Sequence, residues 1–182
     1  SLGDFMEEFH RIKRLPPYTL GEVRKSMIQE RAKGIDVIDL GMGNPDRPTP
    51  QHIVNKLCEV VQDPKTHRYS VSRGILNARK AIVYRYKEDF DVDLDPEYET
   101  IAVIGAKEGI SHLALALLDD GDVALVPNPT YPIHLYGVVI AGGKLISIPI
   151  EPSNNFVIDL KKLRKQKFFP KPKLLIISYP HN

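Results

Sequence analysis

The stretch that decides the fold is TIAVIGAKEGISHLALALL, which runs from Thr100 to Leu118. Residues 100–104 are mostly apolar and predict a short buried strand, which Gly105 interrupts. The apolar residues that follow recur at the spacing of one helix face; they are Ile110, Leu113, Ala114, Leu117 and Leu118. A strand that enters a helix through a glycine turn leaves unpaired backbone N–H groups at the helix start, and these favour an anion such as phosphate. On its own, this stretch fits a strand-to-helix turn in any α/β domain.

The composition is that of an ordinary globular protein and disfavours several classes of function. Of the 182 residues, 42% are hydrophobic and 26% are charged, and the net charge of +2 gives no reason to expect nucleic acid as a partner. No apolar run has the length of a membrane span, so no membrane partner is expected. The six histidines show no metal-ligand spacing, so no metal site is predicted.

The only cysteine, Cys58, falls within an apolar helical pattern and is predicted to be a small core residue. One cysteine excludes a disulfide within the chain. This cysteine usage fits the reducing conditions of a cytoplasmic location.

Strands and helices alternate along the second half of the chain, which is typical of a parallel sheet. Strands are predicted over 122–126, 144–149 and 173–178, and a helix is predicted over 133–141. The run Leu174–Ile177 is apolar at every residue, and this pattern belongs to a strand that is covered on both faces. The predicted fold class is therefore α/β, with a mostly parallel sheet between two layers of helices.

The first half of the chain is predicted to hold an arm, a strand and several helices. Residues 1–18 are charged and contain a proline pair, so they are predicted to form an N-terminal arm, either packed on a second subunit or free. The further predicted elements are a helix over 20–33 that ends at Gly34, a strand over 35–40, a helix with Thr49 as N-cap and Pro50 at its first position, a helix over 75–90, and a later short helix capped by Asp159.

The candidate binding residues follow three strand ends. In a parallel α/β sheet, ligands bind beyond the carboxyl ends of the strands. Those ends carry residues 105–107, residues 128–131 and residues 179–182. Together they offer an anion cradle, the aromatic ring of Tyr131 and the amide of Asn182. This set suits a planar, phosphorylated heteroaromatic ligand whose ring stacks on the tyrosine.

Five motifs in register resemble those of the class I/II aminotransferases, which are fold-type I enzymes dependent on pyridoxal 5'-phosphate (PLP). The motifs are GMGNPD at 41–46, YSVSRG at 69–74, GAKEG at 105–109, PNPTYP at 127–132 and YPHN at 179–182. The likeness extends from about Leu15 to the end of the chain. Within the family, RLPPY at 14–18 and YPIHLYG at 131–137 most resemble the bacterial alanine (glutamate–pyruvate) aminotransferases.

The resemblance implies a role for each matching residue. Gly105, Ala106 and Lys107 match the phosphate cradle, with the backbone N–H of Lys107 mattering more than its amine. Tyr131 matches the aromatic residue stacked on the pyridine ring, and Asn182 matches the asparagine that binds the ring hydroxyl oxygen. Gly43 matches the position whose backbone N–H meets the substrate carboxylate. Tyr69 matches the tyrosine that reaches the cofactor phosphate of the neighbouring subunit, which implies a homodimer.

The resemblance also implies the organisation of the chain. Residues 1–43 are expected to form the N-terminal arm and the first part of the small domain, and 44–182 the N-terminal half of the large, PLP-binding domain. The chain is therefore expected to be the N-terminal portion of the enzyme, because the family places its Schiff-base lysine later than residue 182. No catalytic residue is predicted within the chain, which is expected to be inactive alone.

The expected activity is transfer of an amino group between an amino acid, alanine- or glutamate-like, and a 2-oxo acid. An aspartate-type aminotransferase and a β-lyase of the same fold are alternatives. A ligand-sensing module of a transcription regulator is the alternative outside enzymes. A dinucleotide-binding protein is disfavoured because GAKEG lacks the G-x-G-x-x-G pattern.

Overall fold

The computed structural model describes residues 9–41, 43 and 45–181 of the chain. Helices and strands alternate from Ala106 onward, whereas the elements before it are helical. In chain order the elements are α1 (His10–Lys13), α2 (Thr19–Ala32), α3 (Gln51–Val61), α4 (Leu76–Phe90), α5 (Ala106–Leu117), β1 (Val123–Asn128), α6 (Pro132–Ile140), β2 (Lys144–Pro149), α7 (Leu160–Lys165) and β3 (Leu174–Leu175).

The described strands form one parallel sheet in the order β2–β1–β3. Val123 lies opposite Lys144, and Ala124 lies opposite both Leu145 and Leu174. The parallel sheet was predicted from the alternation of strands and helices, and it is confirmed. Strand β3 is shorter than the predicted 173–178, although the Ile176 amide still donates to the Leu125 carbonyl at 3.0 Å.

Side chains on the two faces of this sheet build two separate apolar clusters. Ala124 and Val126 of β1 pack with residues of α5 and α6, whereas Leu125 points to the opposite face, because successive strand residues alternate sides. The second cluster holds Ile148, Ile150 and Ile158, with Leu163 of α7 packed against it. The sheet is therefore covered on both faces, as the continuous apolar run predicted, and the α/β class with three layers is confirmed for this part of the chain.

Two predicted strands are wrong. Residues 100–104 and 35–40 have no strand assignment and lie outside the described sheet, and the Ile104 side chain is 93% exposed. The apolar pattern indicates a segment that favours burial. A strand also needs a neighbouring strand for its backbone hydrogen bonds, and no described residue takes that place here.

The predicted helices of the first half are present with small shifts at their ends. Helix α2 ends before Gly34, as predicted, and α4 matches the predicted 75–90 within one residue. Helix α3 begins one residue later than predicted, so Pro50 itself is the N-cap. The prediction that Cys58 lies in a core is wrong: its side chain is exposed. The apolar face of α3, which includes Leu57, is likewise exposed, so the helical pattern alone misjudged its burial.

The chain divides into two compact units. One comprises Pro17–Ile101, and the other combines the described residues up to Pro16 with those from Ala102 onward. The arm lies in the second unit, where the Tyr136 hydroxyl donates to the Pro16 carbonyl at 3.1 Å and Arg14 lies 3.8 Å from Asp120. The predicted division at residues 43/44 concerns the domains of a whole enzyme and stays a prediction.

None of the helices described for this chain combines the length and apolar character needed to cross a bilayer.

Candidate functional site

The start of α5 has the backbone geometry of an anion cradle. Gly105 is its N-cap with φ +84°, a conformation that favours glycine. No atom of the described residues lies within 4 Å of a Cβ built on Gly105, so the glycine requirement comes from the backbone conformation. The N–H groups of the first helical turn have no partner within the helix. Glu108 in that turn accepts a hydrogen bond from the Ile104 amide, which ties the incoming chain to the helix.

Tyr131 lies beside this helix start. It is the N-cap of α6, three residues after β1 ends, so the carboxyl end of the central strand positions it. The ammonium nitrogen of Lys107 lies 5.4 Å from the centroid of its ring, on the ring face. The structure therefore brings together two of the predicted binding segments, residues 105–107 and Tyr131.

His134 is a buried residue of the same site that the sequence analysis passed over. Its ring meets that of Tyr131 edge-on, with centroids 6.0 Å apart and planes at 75°. Its Nδ1 lies 2.8 Å from the Thr130 hydroxyl, which fixes the imidazole against the loop between β1 and α6. Burial lowers the pKa of His134 below its usual 6.5, and the neighbouring charge of His181 lowers this pKa further. A polar residue on a helix rich in apolar residues was the signal available in the sequence.

The third predicted strand end follows β3. His181, near the end of this segment, interacts electrostatically with His134 beside Tyr131. The Nε2 atom of His181 is buried and has no hydrogen-bond partner among the described residues. The Tyr179 hydroxyl donates to the Phe156 carbonyl at 3.0 Å, which holds the segment in place. Asn182, predicted to bind the ring hydroxyl oxygen, lies outside the described residues.

Within the described part of the chain, no group of three or more His, Cys, Asp or Glu side chains is arranged to hold a metal ion. An anion cradle, an aromatic face and the buried imidazole of His134 at one sheet edge suit an aromatic, anionic organic ligand. The comparison with known proteins agrees with this chemistry: residues 35–182 match the family described as aminotransferase class I and II.

The chain belongs to that family.

Relatives of this aminotransferase chain cover nearly all of it. AatC of Rhizobium meliloti (strain 1021), named as an aminotransferase, is 52% identical over 177 residues, which are 97% of this chain and 44% of AatC. The glutamate-pyruvate aminotransferase AlaC of Escherichia coli (strain K12) is 50% identical over 174 residues, 96% of this chain and 42% of AlaC. The substrate-bound structure of BacF from Bacillus subtilis superposes with a TM-score of 0.87 at 34% identity, over 98% of this chain and 45% of BacF. The chain thus spans less than half the length of each protein.

The remaining predicted residues of the aminotransferase site, Gly43 and Tyr69, belong to the unit Pro17–Ile101. Gly43 is exposed, and no atom from the part of the chain that the structure describes lies within 4 Å of a Cβ built there. The Tyr69 side chain is fully exposed, in the loop that precedes α4. Their roles towards substrate and cofactor stay predictions.

An arginine that the sequence analysis missed lies close to the Tyr69 loop. Arg79 of α4 is 4% exposed and donates to the carbonyl of Gly74 and to the carboxylate of Glu97. Arg73, within the loop, binds the same carboxylate at 3.0 Å. The signal was spacing: Arg79 is three residues after Leu76 and three before Ile82, on a helix face otherwise apolar.

Proposed function

We propose that the full-length protein containing this chain is a PLP-dependent transaminase, which moves an amino group between an amino acid and a 2-oxo acid. The observation that carries the proposal is the approach of two segments, the start of α5 and the ring of Tyr131, at the carboxyl end of β1. Family membership supports the reaction class. The 50% sequence identity with AlaC, a glutamate-pyruvate aminotransferase, supports alanine and glutamate as the amino donors.

The described residues fit the cofactor. The glycine N-cap and the α5 dipole, which favours negative charge at the helix start, support the proposal that the backbone N–H groups of Ala106 and Lys107 donate to a phosphate. The cation of Lys107 adds to this preference. The Tyr131 ring would stack on the pyridine ring, and His134 holds Tyr131 at its edge. Asn182 is proposed to donate to the ring hydroxyl oxygen.

When bound, PLP supplies an electron sink for the carbon that carries the amino group. The residues of this chain are proposed to bind and orient the cofactor and the substrate. Gly43 is proposed to offer its backbone N–H to the substrate carboxylate, and no described atom lies near its Cβ position to obstruct that approach. The lysine that binds the cofactor covalently is proposed to lie outside these 182 residues.

The exposure of Tyr69 supports a homodimer. Its phenol projects from the loop before α4, which suits a hydrogen bond to a group outside its own subunit. We therefore propose that Tyr69 donates to the cofactor phosphate of the neighbouring subunit, so that each site is completed by its partner.

The experiment compares Tyr131→Ala with Tyr131→Phe in the full-length protein. Loss of the ring is expected to raise the dissociation constant of PLP about tenfold, whereas phenylalanine keeps the stacking face and stays within about twofold of wild type. Titration of the apoenzyme by absorbance gives both constants. An unchanged constant for Tyr131→Ala contradicts the stacking role.

The reaction class has its own readout. With alanine as donor and a 2-oxo acid as acceptor, the amino group is expected to appear in the second amino acid and not as free ammonia. Release of ammonia in place of transfer would contradict transamination and favour a β-lyase.

A further inference from the structure

Arg79 is the one buried residue among the described positions of the unit Pro17–Ile101. Burial of a guanidinium is costly unless hydrogen bonds and an opposite charge compensate for the lost water. The proposed chemistry makes no use of Arg79, and the backbone carbonyls it binds belong to two separate loops. The role of the buried Arg79 guanidinium is therefore inferred from the groups that it binds.

The guanidinium joins the loop before α4 to the loop after it. Its Nε donates to the Gly74 carbonyl at 3.1 Å, and its Nη1 donates to the Pro96 carbonyl. Its Nη2 donates to a carboxylate oxygen of Glu97 at 3.3 Å. All three hydrogen bonds of the guanidinium therefore go to these two loops. The loop before α4 also carries Tyr69.

Glu97 also binds a second arginine, Arg73, which lies in the loop that carries Tyr69. Arg73 donates to the Glu97 carboxylate at 3.0 Å and also to the Glu97 backbone carbonyl. We name Arg73, Arg79 and Glu97 the arginine clamp. Two cations share one carboxylate, so removal of Glu97 would leave both guanidiniums without their counter-charge.

The clamp fixes a tight turn that begins two residues after Tyr69. The Gly74 amide donates to the Val71 carbonyl at 2.8 Å, which closes the turn, and Gly74 has φ +85°. Arg79 holds the carbonyl of this same glycine. Tyr69 precedes Val71 by two residues, and two residues of extended chain span at most about 7 Å. Fixing Val71–Gly74 therefore confines the backbone of Tyr69 to a small volume.

We propose that Arg79 is a positioning residue: through the arginine clamp it holds the Val71–Gly74 turn and so directs Tyr69 at the cofactor phosphate of the neighbouring subunit. This inference rests on the role given to Tyr69 under the proposed function. An ordered turn lowers the entropy lost when an exposed tyrosine binds its target, so the clamp contributes to phosphate affinity without touching the phosphate.

The test measures two dissociation constants on the full-length apoenzyme, one for PLP and one for pyridoxal, which lacks the phosphate. Arg79→Met keeps the length and burial of the side chain and removes its donors. It is expected to raise the constant for PLP about tenfold, an effect on the scale of one lost charge-assisted hydrogen bond, and to leave the constant for pyridoxal within about twofold. The matched control is Arg85→Met on the same helix, where the arginine is exposed and pairs with Asp89; both constants stay at wild type.

A merely structural role of Arg79 would weaken both ligands equally or neither, and either result overturns the proposal. If Arg79→Met does not fold, Glu97→Gln decides by the same criterion, with an expected rise of about threefold for PLP alone. In the double variant Arg79→Met/Tyr69→Phe, the constant for PLP is expected to equal that of Tyr69→Phe, because the clamp acts through the phenol. A further tenfold loss in the double variant overturns the proposal.

Tyr69→Phe separates the proposed phosphate contact of Tyr69 from the proposed positioning role of Arg79. If this variant binds PLP as wild type does, the proposed phosphate contact of Tyr69 is wrong, and the positioning role falls with it. If Tyr69→Phe weakens PLP binding and Arg79→Met does not, only the positioning role is wrong.

Discussion

The two compact units stabilise themselves by different means. In the unit that contains residues 102–182, the buried side chains are mostly apolar and pack on both faces of the sheet. In Pro17–Ile101, the only described residue that is buried is an arginine, held by two loops and a carboxylate. Apolar burial is nondirectional, whereas the arginine clamp is directional and specifies one arrangement of its loops.

The contrast extends to the helices. Val138 of α6 is 0% exposed, whereas Leu57 on the apolar face of α3 is 68% exposed. A helix whose apolar face stays largely exposed gains little from burial within this chain. The difference teaches that the sheet unit holds its own core, while the order of the other unit relies on polar contacts. Three substitutions test this contrast.

The largest effect is expected from the apolar core. Val138→Ala removes two methyl groups from a position packed against Leu118, Ala124 and Val126. The free energy of unfolding is expected to fall by about 3 kcal/mol, because a cavity adds to the lost burial. Urea unfolding of the 182-residue chain measures the change, and amide hydrogen exchange is expected to accelerate from Ala102 onward while Pro17–Ile101 keeps its rates. Acceleration of equal size in both units would show that their stabilities are not separate.

A smaller effect, confined to the other unit, is expected from Arg79→Met. The substitution leaves the carbonyls of Gly74 and Pro96 without their donors, which costs about 2 kcal/mol. The matched variant Arg85→Met breaks an exposed ion pair and is expected to cost less than about 0.5 kcal/mol. Hydrogen exchange over 71–99 reports the local change. Equal costs for the two arginines would contradict the stabilising role of the clamp.

The smallest effect concerns pH and the buried imidazole of the sheet unit. Burial lowers the pKa of His134 below 6.5, so the unfolded chain binds the proton more readily than the folded one. Stability is therefore complete above about pH 6.5 and falls as the pH drops towards the folded-state pKa. His134→Gln removes this titration, so its unfolding midpoint in urea is expected to change less between pH 7 and pH 5 than that of wild type. An equal change of the urea midpoint with pH in the two proteins would contradict a lowered pKa of His134 in the folded state.

The regular elements of the sheet unit were largely predictable. The bounds of β2 were predicted as 144–149 and are observed as such, because a short apolar strand lies between a glycine pair and a proline. Asp159 was predicted to cap a helix, and its carboxylate accepts from the Lys162 amide at 2.9 Å. Local rules succeed where the physical cause is local, as in caps, turns and helix periods.

The predictions that failed share one cause: they concern contacts between residues that are far apart in the sequence. Whether residues 100–104 pair as a strand depends on a neighbour elsewhere in space, and the burial of Cys58 depends on what covers α3. Arg79 meets its carboxylate partner 18 residues later in the chain, across a loop whose path no propensity sets. Of the candidate site, the pairing of residues 105–107 with Tyr131 was predicted from strand ends, although residues 100–104 form no strand, whereas the buried His134 and its neighbour His181 were not predicted.

The hydrogen bond between Tyr136 and Pro16 joins residues 120 positions apart. A ribosome adds about 5–20 residues per second, so the arm emerges roughly 6 to 24 s before its acceptor surface exists. During that interval all of Pro17–Ile101 is synthesised first, and until Ala102 is added the rest of the arm's own unit does not exist. Ribosome-bound chains arrested before residue 136 and the released 182-residue chain are therefore expected to differ in protease sensitivity at residues 9–16, which makes the arm a reporter of when its unit folds.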